Sequence, residues 1–531
     1  MNRFLFKIIA LLTLAGCATE TTTQKYDWNA EYTNVPTGTP VQMQYGSYYS
    51  TFDSENTTHN IAVLLPTTGN AASAGREIRN AMELAILQHS LNQLNVHFYD
   101  TAPDATSAIN MALAENPDII IGPLFSSDAQ MLRTTKPDYM PAISFTSDAK
   151  SVGDGVMTIA LMPTNSVELI VREMFYDGVK NFIIMAPDTE SGKIMAGTAK
   201  RAGEIYGPTV SGIFYYNERD NDNLKNTAEV ASLYNARTAA HKRARTVLSD
   251  ILTNETLTGI EKSNMYYQLD KLSKTDTLGT LPYTAVLFLG ASDDTKTLGS
   301  FMRYYGADSK SVKFYGSALL DGTDIASDYT MMGTKYAALP EQNMTFANLY
   351  KQTYGTLPSR LATFGYDVAN IAMGTVYSNK APAAYLLDPS GYAGMDGIVR
   401  LKPNGDSERG LRVLQVNGSG TPITMRAAPE NFITPIYNIE QRQITPAEPM
   451  SLQTRGINPN DFIKIPERYK SKYKSKTFGL NMTEPEQQVK NEPVVTVISS
   501  TDDTTVTDAE YQPVKLEPIN KTMIDAVELN E

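Results

Sequence analysis

The chain has 531 residues, 42% of them apolar and 20% charged, with a formal net charge of −12. That length accommodates about two to four domains, and the composition excludes both a wholly disordered chain and a polytopic membrane protein. The negative balance argues against nucleic acid as a partner, which would ask for a basic face, and the single cysteine, Cys17, excludes an intrachain disulfide.

The first seventeen residues read MNRFLFKIIALLTLAGC. Arg3 and Lys7 give a positive start, and the apolar run from Ile8 to Leu14 is far short of the roughly 20 residues a bilayer span needs. Leu14-Ala15-Gly16-Cys17 resembles the bacterial lipobox, in which small residues suit a peptidase cleft and the thiol is acylated. The resemblance implies a signal peptide over 1–16, removed before Cys17, and a lipid anchor on Cys17. Several acyl chains, at roughly 0.8 kcal/mol per buried CH₂, hold such an anchor durably in a membrane. The next residue is Ala18 rather than Asp, which by analogy with lipoprotein sorting implies the outer membrane, with the protein facing the periplasm.

Residues 17–59 are rich in Thr, Asn, Ser, Gly and Tyr without an apolar period, and read as a flexible tether. Its tyrosines and the sole tryptophan, Trp28, have the alternative of packing on the domain that follows. From 60 to 440 the pattern changes to short apolar runs, each followed by a helical stretch. The runs are 61–66, 118–123, 141–145, 182–187, 285–290 and 312–316. Continuous apolar runs ending in Gly, Pro or a polar turn are the signature of parallel strands covered on both faces. Between them, 74–88 places Ile78, Met82, Ala85 and Ile86 on one helical face, and 166–176 and 366–377 behave alike. This alternation predicts an α/β protein. Residues 217–282 break the rhythm with polar helical stretches, including the cluster His241, Lys242, Arg243 and Arg245, which reads as a solvated face or a contact for an acidic partner. From 450 to 531 a run with six Lys/Arg over 464–476 gives way to an acidic stretch, expected to be a disordered basic-then-acidic tail.

Catalytic signatures are missing. The four histidines, His59, His89, His97 and His241, have no metal-ligand spacing, so neither a metal nor a cofactor is expected. There is no G-x-S-x-G, Walker A or G-x-G-x-x-G. Ser147-Asp148-Ala149-Lys150 matches S-x-x-K, but no K-T-G triplet accompanies it, and Ser471 to Lys474 matches it as well. An enzyme is therefore not expected.

Three segments sit at the carboxyl ends of predicted strands, where open α/β sheets bind ligands. They are Thr67-Thr68-Gly69 before a helix, Ser126 and Ser127 after Gly122-Pro123, and Thr146-Ser147-Asp148. The order IAVLLPTTG, DIIIGPLFSS, PAISFTSDA, NFIIMAPDTESG, YDVANIA and GMDGIVRLKPNGDSERGLRVLQV resembles the leucine/isoleucine/valine-binding-protein superfamily and, within it, the lipoprotein penicillin-binding-protein activators. The resemblance spans about 60–425. It implies a two-lobed type I periplasmic binding protein fold, parallel sheets flanked by helices, with a helical insertion (217–282) in the second lobe. The first lobe would take about 60–160 and 332–400, the second about 161–331 and 401–440. In amino-acid-binding relatives the loop matching 122–127 offers a hydroxyl and the loop matching 146–148 holds the α-amino and carboxylate groups. A tyrosine before a Gly in the second lobe closes the site, and here Ser191 stands at that position, before Gly192. Thr67, Ser126, Ser127, Thr146, Ser147, Asp148 and Ser191 are thus the ligand-cleft candidates, for a small molecule or as mere helix and turn caps. The activator resemblance implies a non-enzymatic regulator of a peptidoglycan synthase. The alternative is a lipid-anchored solute-binding protein of an amino-acid-type ABC transporter.

Overall fold

The computed structural model describes residues 26–28, 38–43, 58–89, 93–378, 380–432 and 444–479. All lie in the first of two compact units, Met1–Glu484 and Pro485–Glu531. The predicted signal peptide, Cys17, most of the predicted tether and the acidic stretch from 480 lie outside the described residues.

After a short strand β1 (Val41–Gln42), the first lobe runs β2 (His59–Leu65), α1 (Ala72–His89), β3 (Leu94–Asp100), α2 (Ala105–Ala114), β4 (Ile119–Ile121), α3 (Ser126–Thr135), β5 (Ala142–Ser144) and β6 (Val156–Thr158). These strands form one sheet in the order β3-β2-β4-β5-β6, parallel throughout. The Ile-Ile-Ile of β4 is buried at every residue, because both faces of the sheet are covered and no alternation is called for.

The second lobe follows with α4 (Pro163–Tyr176), β7 (Asn181–Pro187), α5 (Glu190–Tyr206), β8 (Thr209–Tyr216), α6 (Asn221–Ala231), α7 (Tyr234–Asn254), α8 (Gly259–Ser273), β9 (Ala285–Phe288), α9 (Ser292–Tyr304), β10 (Lys313–Gly316) and β11 (Lys335–Ala338). The chain then returns through α10 (Met344–Tyr354), α11 (Arg360–Tyr377) and α12 (Pro382–Leu386) to β12 (Tyr392–Gly394), β13 (Gly397–Leu401) and β14 (Ser407–Arg409), and ends with β15 (Arg412–Gln415) and β16 (Ile423–Arg426). The second sheet has the order β16-β15-β11-β10-β9-β7-β8, and a small third sheet the order β1-β12-β13-β14. Helix α11 is buried at every residue from Ala362 to Thr375, the polar Thr363, Asp367 and Asn370 included. It lies so close to α1 that a Cβ on Gly365 would stand 2.7 Å from the Ile78 carbonyl oxygen.

Several sequence expectations are corrected. The second lobe claims more of the return than 332–400 allowed: β11 pairs with β10 and β15 and so belongs to the second sheet. Residues 401–409 stay with the first lobe, since Thr158 N–H donates to Gly405 O at 2.9 Å. The insertion does lie within 217–282, but α6 packs on β8 and α9 as an ordinary crossover, so only the α7–α8 hairpin is extra. His241 of the basic cluster is buried, its ring Nε2 2.8 Å from the Leu272 carbonyl.

The tail expectation fails over 450–479. This segment is a strap that runs beside β8 and then over the hairpin: Met450 and Ile213 exchange backbone hydrogen bonds, and Ile457 does the same with Phe478. Ile457, Ile463, Ile465 and Tyr473 complete an apolar core with Ala240, Ala244, Val247, Leu248 and Ile251 of α7. Lysines at alternate positions hid these anchors in the sequence. Within the tether, the alternative of packing on the domain holds at Trp28, which is buried, its Nε1 donating to Asp138 O at 3.0 Å, and β1 pairs with β12.

Candidate functional site

Strands β2, β4 and β5 are neighbours, so the loops after them share one edge of the first sheet. The first of these loops is already occupied by a carboxylate of the chain itself. Asp100, at the end of β3, accepts the N–H of Thr67 at 2.9 Å and of Ala102 at 3.1 Å, and the Thr68 hydroxyl at 2.6 Å. Burial pushes the Asp100 carboxyl up, but these hydrogen bonds outweigh it and hold the group at about 2. The backbone N–H of Thr67, which would otherwise meet an anionic ligand, is thereby taken.

After β4 the chain turns at Gly122, whose φ is +96° and whose Cβ, if present, would stand 2.1 Å from the Leu64 carbonyl oxygen. That close approach admits only glycine. Ser126 and Ser127 then open α3, exposed, with the Ser127 hydroxyl donating to Asp128 at 3.0 Å. The loop after β5 is closed on itself. Buried Thr146 accepts the Asp148 N–H on its Oγ1 at 3.1 Å. Asp148 accepts the Lys150 N–H at 3.0 Å and the Ser151 hydroxyl at 2.6 Å. Ser147 is exposed.

In the second lobe the loop after β7 leads into α5, where Thr189 caps the Gly192 N–H at 3.1 Å and Ser191 is exposed. Lys150 of the first lobe forms an ion pair with Glu190 beside it, so the two loop sets meet. Thr67, Ser126, Ser127, Thr146, Ser147 and Asp148 therefore lie along one sheet edge, and Ser191 beside the residue that faces it. Asp100 and the pairing of Lys150 with Glu190 escaped sequence reasoning, since nothing in the sequence pairs residues so far apart. Lys150, the lysine of the S-x-x-K match, is paired with Glu190, whose hydrogen bond and charge raise its ammonium above the ordinary value.

A partly buried set of charged side chains joins the segments that cross between the lobes. Arg409 donates to Ile159 O from Nε at 3.2 Å and from Nη2 at 2.7 Å. Arg360 bridges Asp396 at 2.5 Å and Pro340 O at 2.8 Å, and Arg412 donates to Leu339 O at 2.8 Å. Asp367 accepts the Met395 N–H at 2.8 Å on one oxygen and leaves the other without a partner. Burial pushes its carboxyl up to about 7, against the pull of Arg409. Among the described residues no group of three His, Cys, Asp or Glu is placed to hold a metal ion.

The model of the family described as "LppC putative lipoprotein" matches residues 20–262. A curated relative, the penicillin-binding protein activator LpoA of Mannheimia succiniciproducens, is 25% identical over 178 residues. This alignment covers 33% of the chain and 30% of the relative's length. The chain resembles the penicillin-binding-protein activators. A solved structure from Rhodospirillum rubrum, described as a putative branched-chain amino acid ABC transporter, matches with a TM-score of 0.51 at 17% identity, over 69% of this chain and all of that one. The fold is thus the two-lobed type I periplasmic binding protein fold, as the sequence implied. The C-domain of LpoA from Haemophilus influenzae, described as a regulator of PBP1A, aligns over 69% of this chain and 99% of that one at 16% identity, with a TM-score of 0.47.

Proposed function

We propose that the chain is a non-enzymatic outer-membrane lipoprotein, anchored through Cys17 and facing the periplasm, that regulates a peptidoglycan synthase. The family match and the curated relative support the lipoprotein and activator readings. The observation that carries the choice over a solute receptor is the state of the strand-end loops: Asp100 fills the Thr67–Thr68 loop, Asp148 is spent on Lys150 and Ser151, and Ser191 stands where a closing aromatic would be. A pull-down from solubilised envelopes tests the proposal. Enrichment of a bifunctional synthase is the expected result, and an inner-membrane permease without a synthase would overturn it. Mass spectrometry of the mature N-terminus tests the anchor, which requires an acylated Cys17.

The second reading, a lipid-anchored solute-binding protein of an ABC transporter, is favoured by one observation. The hydroxyls of Ser126, Ser127 and Ser147 are exposed along the ligand edge of the sheet. A thermal-shift screen with amino acids separates the two, since stabilisation by a ligand at saturating concentration is required of a receptor.

A further inference from the structure

The α7–α8 hairpin and its strap differ in charge from the rest of the chain. Residues 234–279 and 455–479 together hold fourteen Lys/Arg against seven Asp/Glu, within a chain of net charge −12. Part of this excess is neutralised on the spot. Arg468 grips Glu261 with two hydrogen bonds of 2.7 Å, Lys472 pairs with Glu255 at 2.5 Å, and Lys470 with Glu467 at 2.6 Å. Lys271 and Lys464 have no carboxylate partner among the described residues.

These two lysines line a groove of about 760 Å³ between α8 and residues 462–466. Met265, Leu272 and Ile463 line it as buried side chains, while Tyr267 and Phe462 line it with 70% and 50% of their surface exposed. Exposed aromatics around an apolar recess are what protein anchors seek, and unpaired cations at such a site attract carboxylates and fix the register of the incoming segment. A bare polyanion would use the lysines and leave the recess empty. A flat bilayer surface would not enter it.

We infer that this groove docks an acidic segment of a partner protein, whose aromatic or aliphatic side chains enter the recess while its carboxylates meet Lys271 and Lys464. The inference rests on the reading of the protein as a regulator that works through protein contact. Its test uses no synthase, so the two can fail separately. The whole chain, purified in detergent, is titrated with a fluorescent glutamate–tyrosine random copolymer, with polyglutamate as the comparison. The copolymer is expected to bind about tenfold more tightly than polyglutamate, roughly one anchor side chain's worth, and to weaken with added salt. Lys271→Glu with Lys464→Glu is expected to cost at least about tenfold, and Phe462→Ala about fivefold. All three side chains are exposed, so an unchanged melting temperature verifies that these variants fold. Equal binding of polyglutamate would overturn the inference in favour of a bare cationic surface. Displacement of the copolymer by phosphatidylglycerol vesicles but not by phosphatidylcholine vesicles would overturn it in favour of a membrane. Self-association abolished by Phe462→Ala would assign the groove to a second copy of the chain. Retained copolymer binding without synthase capture would remove the regulator reading and leave the groove standing.

Discussion

The loops at the carboxyl ends of β2 and β5 and the hairpin with its strap use their charged groups in opposite ways. In the loops, Asp100 and Asp148 are bound to their own backbone and hydroxyl neighbours. On the hairpin and strap, Lys271 and Lys464 have no carboxylate partner among the described residues and stand beside exposed Tyr267 and Phe462. The carboxylates of these loops are thus spent on holding the loops' own shape, while the hydroxyls of Ser126, Ser127 and Ser147 stay exposed, and the added element leaves its two lysines free of carboxylates among the described residues. A shared fold therefore says little about where this chain meets a partner.

The comparison requires the hairpin and strap to be a unit with a core of their own, and that is the first place to break it. Leu248 of α7 is fully buried in that core. Leu248→Ala is expected to cost about 3 kcal/mol through lost transfer energy and the cavity left behind. Hydrogen exchange should localise the damage to 234–279 and 455–479. Lost protection in β2, β4 and β5 as well would mean that the two regions are one cooperative unit.

The next largest effect belongs to the segments that cross between the lobes. The Asp367 carboxyl sits at about 7 in the fold because it is buried, against roughly 3.9 in an unfolded chain. The folded state therefore binds the extra proton between these values. The resulting stability is complete below about pH 4 and is lost as pH rises through 7. Asp367→Asn, neutral at every pH, should gain on the wild type by about 2 kcal/mol between pH 5 and pH 8 in urea unfolding. A constant difference between the two would assign Asp367 an ordinary, solvated carboxylate.

How much of this was legible in the sequence depends on burial. Strands β4, β5, β7, β9 and β10 declare themselves as apolar runs because both their faces are covered. Strands β3 and β8 do not: each lies at the edge of its sheet and mixes polar with apolar residues. Strand β11 was hidden by its first residue, Lys335, whose ammonium is buried against Glu173 at 3.0 Å and Asp177 at 2.8 Å, partners more than 150 positions away. The strap was hidden because Lys464 faces outward between buried Ile463 and Ile465, and Lys472 and Lys474 face outward on either side of buried Tyr473. At the candidate site, the strand-end positions of Thr67, Ser126 and Thr146 followed from the runs. The state of those loops did not, because Asp100 lies 33 residues from Thr67.

A smaller effect tests that loop directly. The hydrogen bonds that hold Asp100 at about 2 contribute stability above its unfolded value near 4, and this is lost as pH falls through 2. Asp100→Asn should destabilise by about 1 kcal/mol at neutral pH, a charge-assisted hydrogen bond discounted for partial exposure, and by almost nothing near pH 2. If the variant also gains affinity for acetate, seen as a thermal shift that the wild type lacks, the loop is an anion site closed by its own carboxylate. A destabilisation that does not change with pH would show that the Asp100 charge does no work in the loop.

The smallest effect concerns the ion pair between Lys150 and Glu190, the point where the two loop sets touch. Both side chains are mostly exposed, at 60% and 68%, and such pairs are screened by salt and offset by the entropy of holding two long side chains. The crossing segments are different, since Arg409 is buried and fixed to Ile159 O by two hydrogen bonds. If the lobes are held by those segments, Lys150→Ala should leave both the melting temperature and the radius of gyration from small-angle scattering unchanged, at low and at high salt. If the variant expands at low salt while the wild type expands only when salt is added, the pair is a latch. The loops, then, would share in holding the lobes together, and the contrast between a self-contained edge and a free hairpin would have to be redrawn.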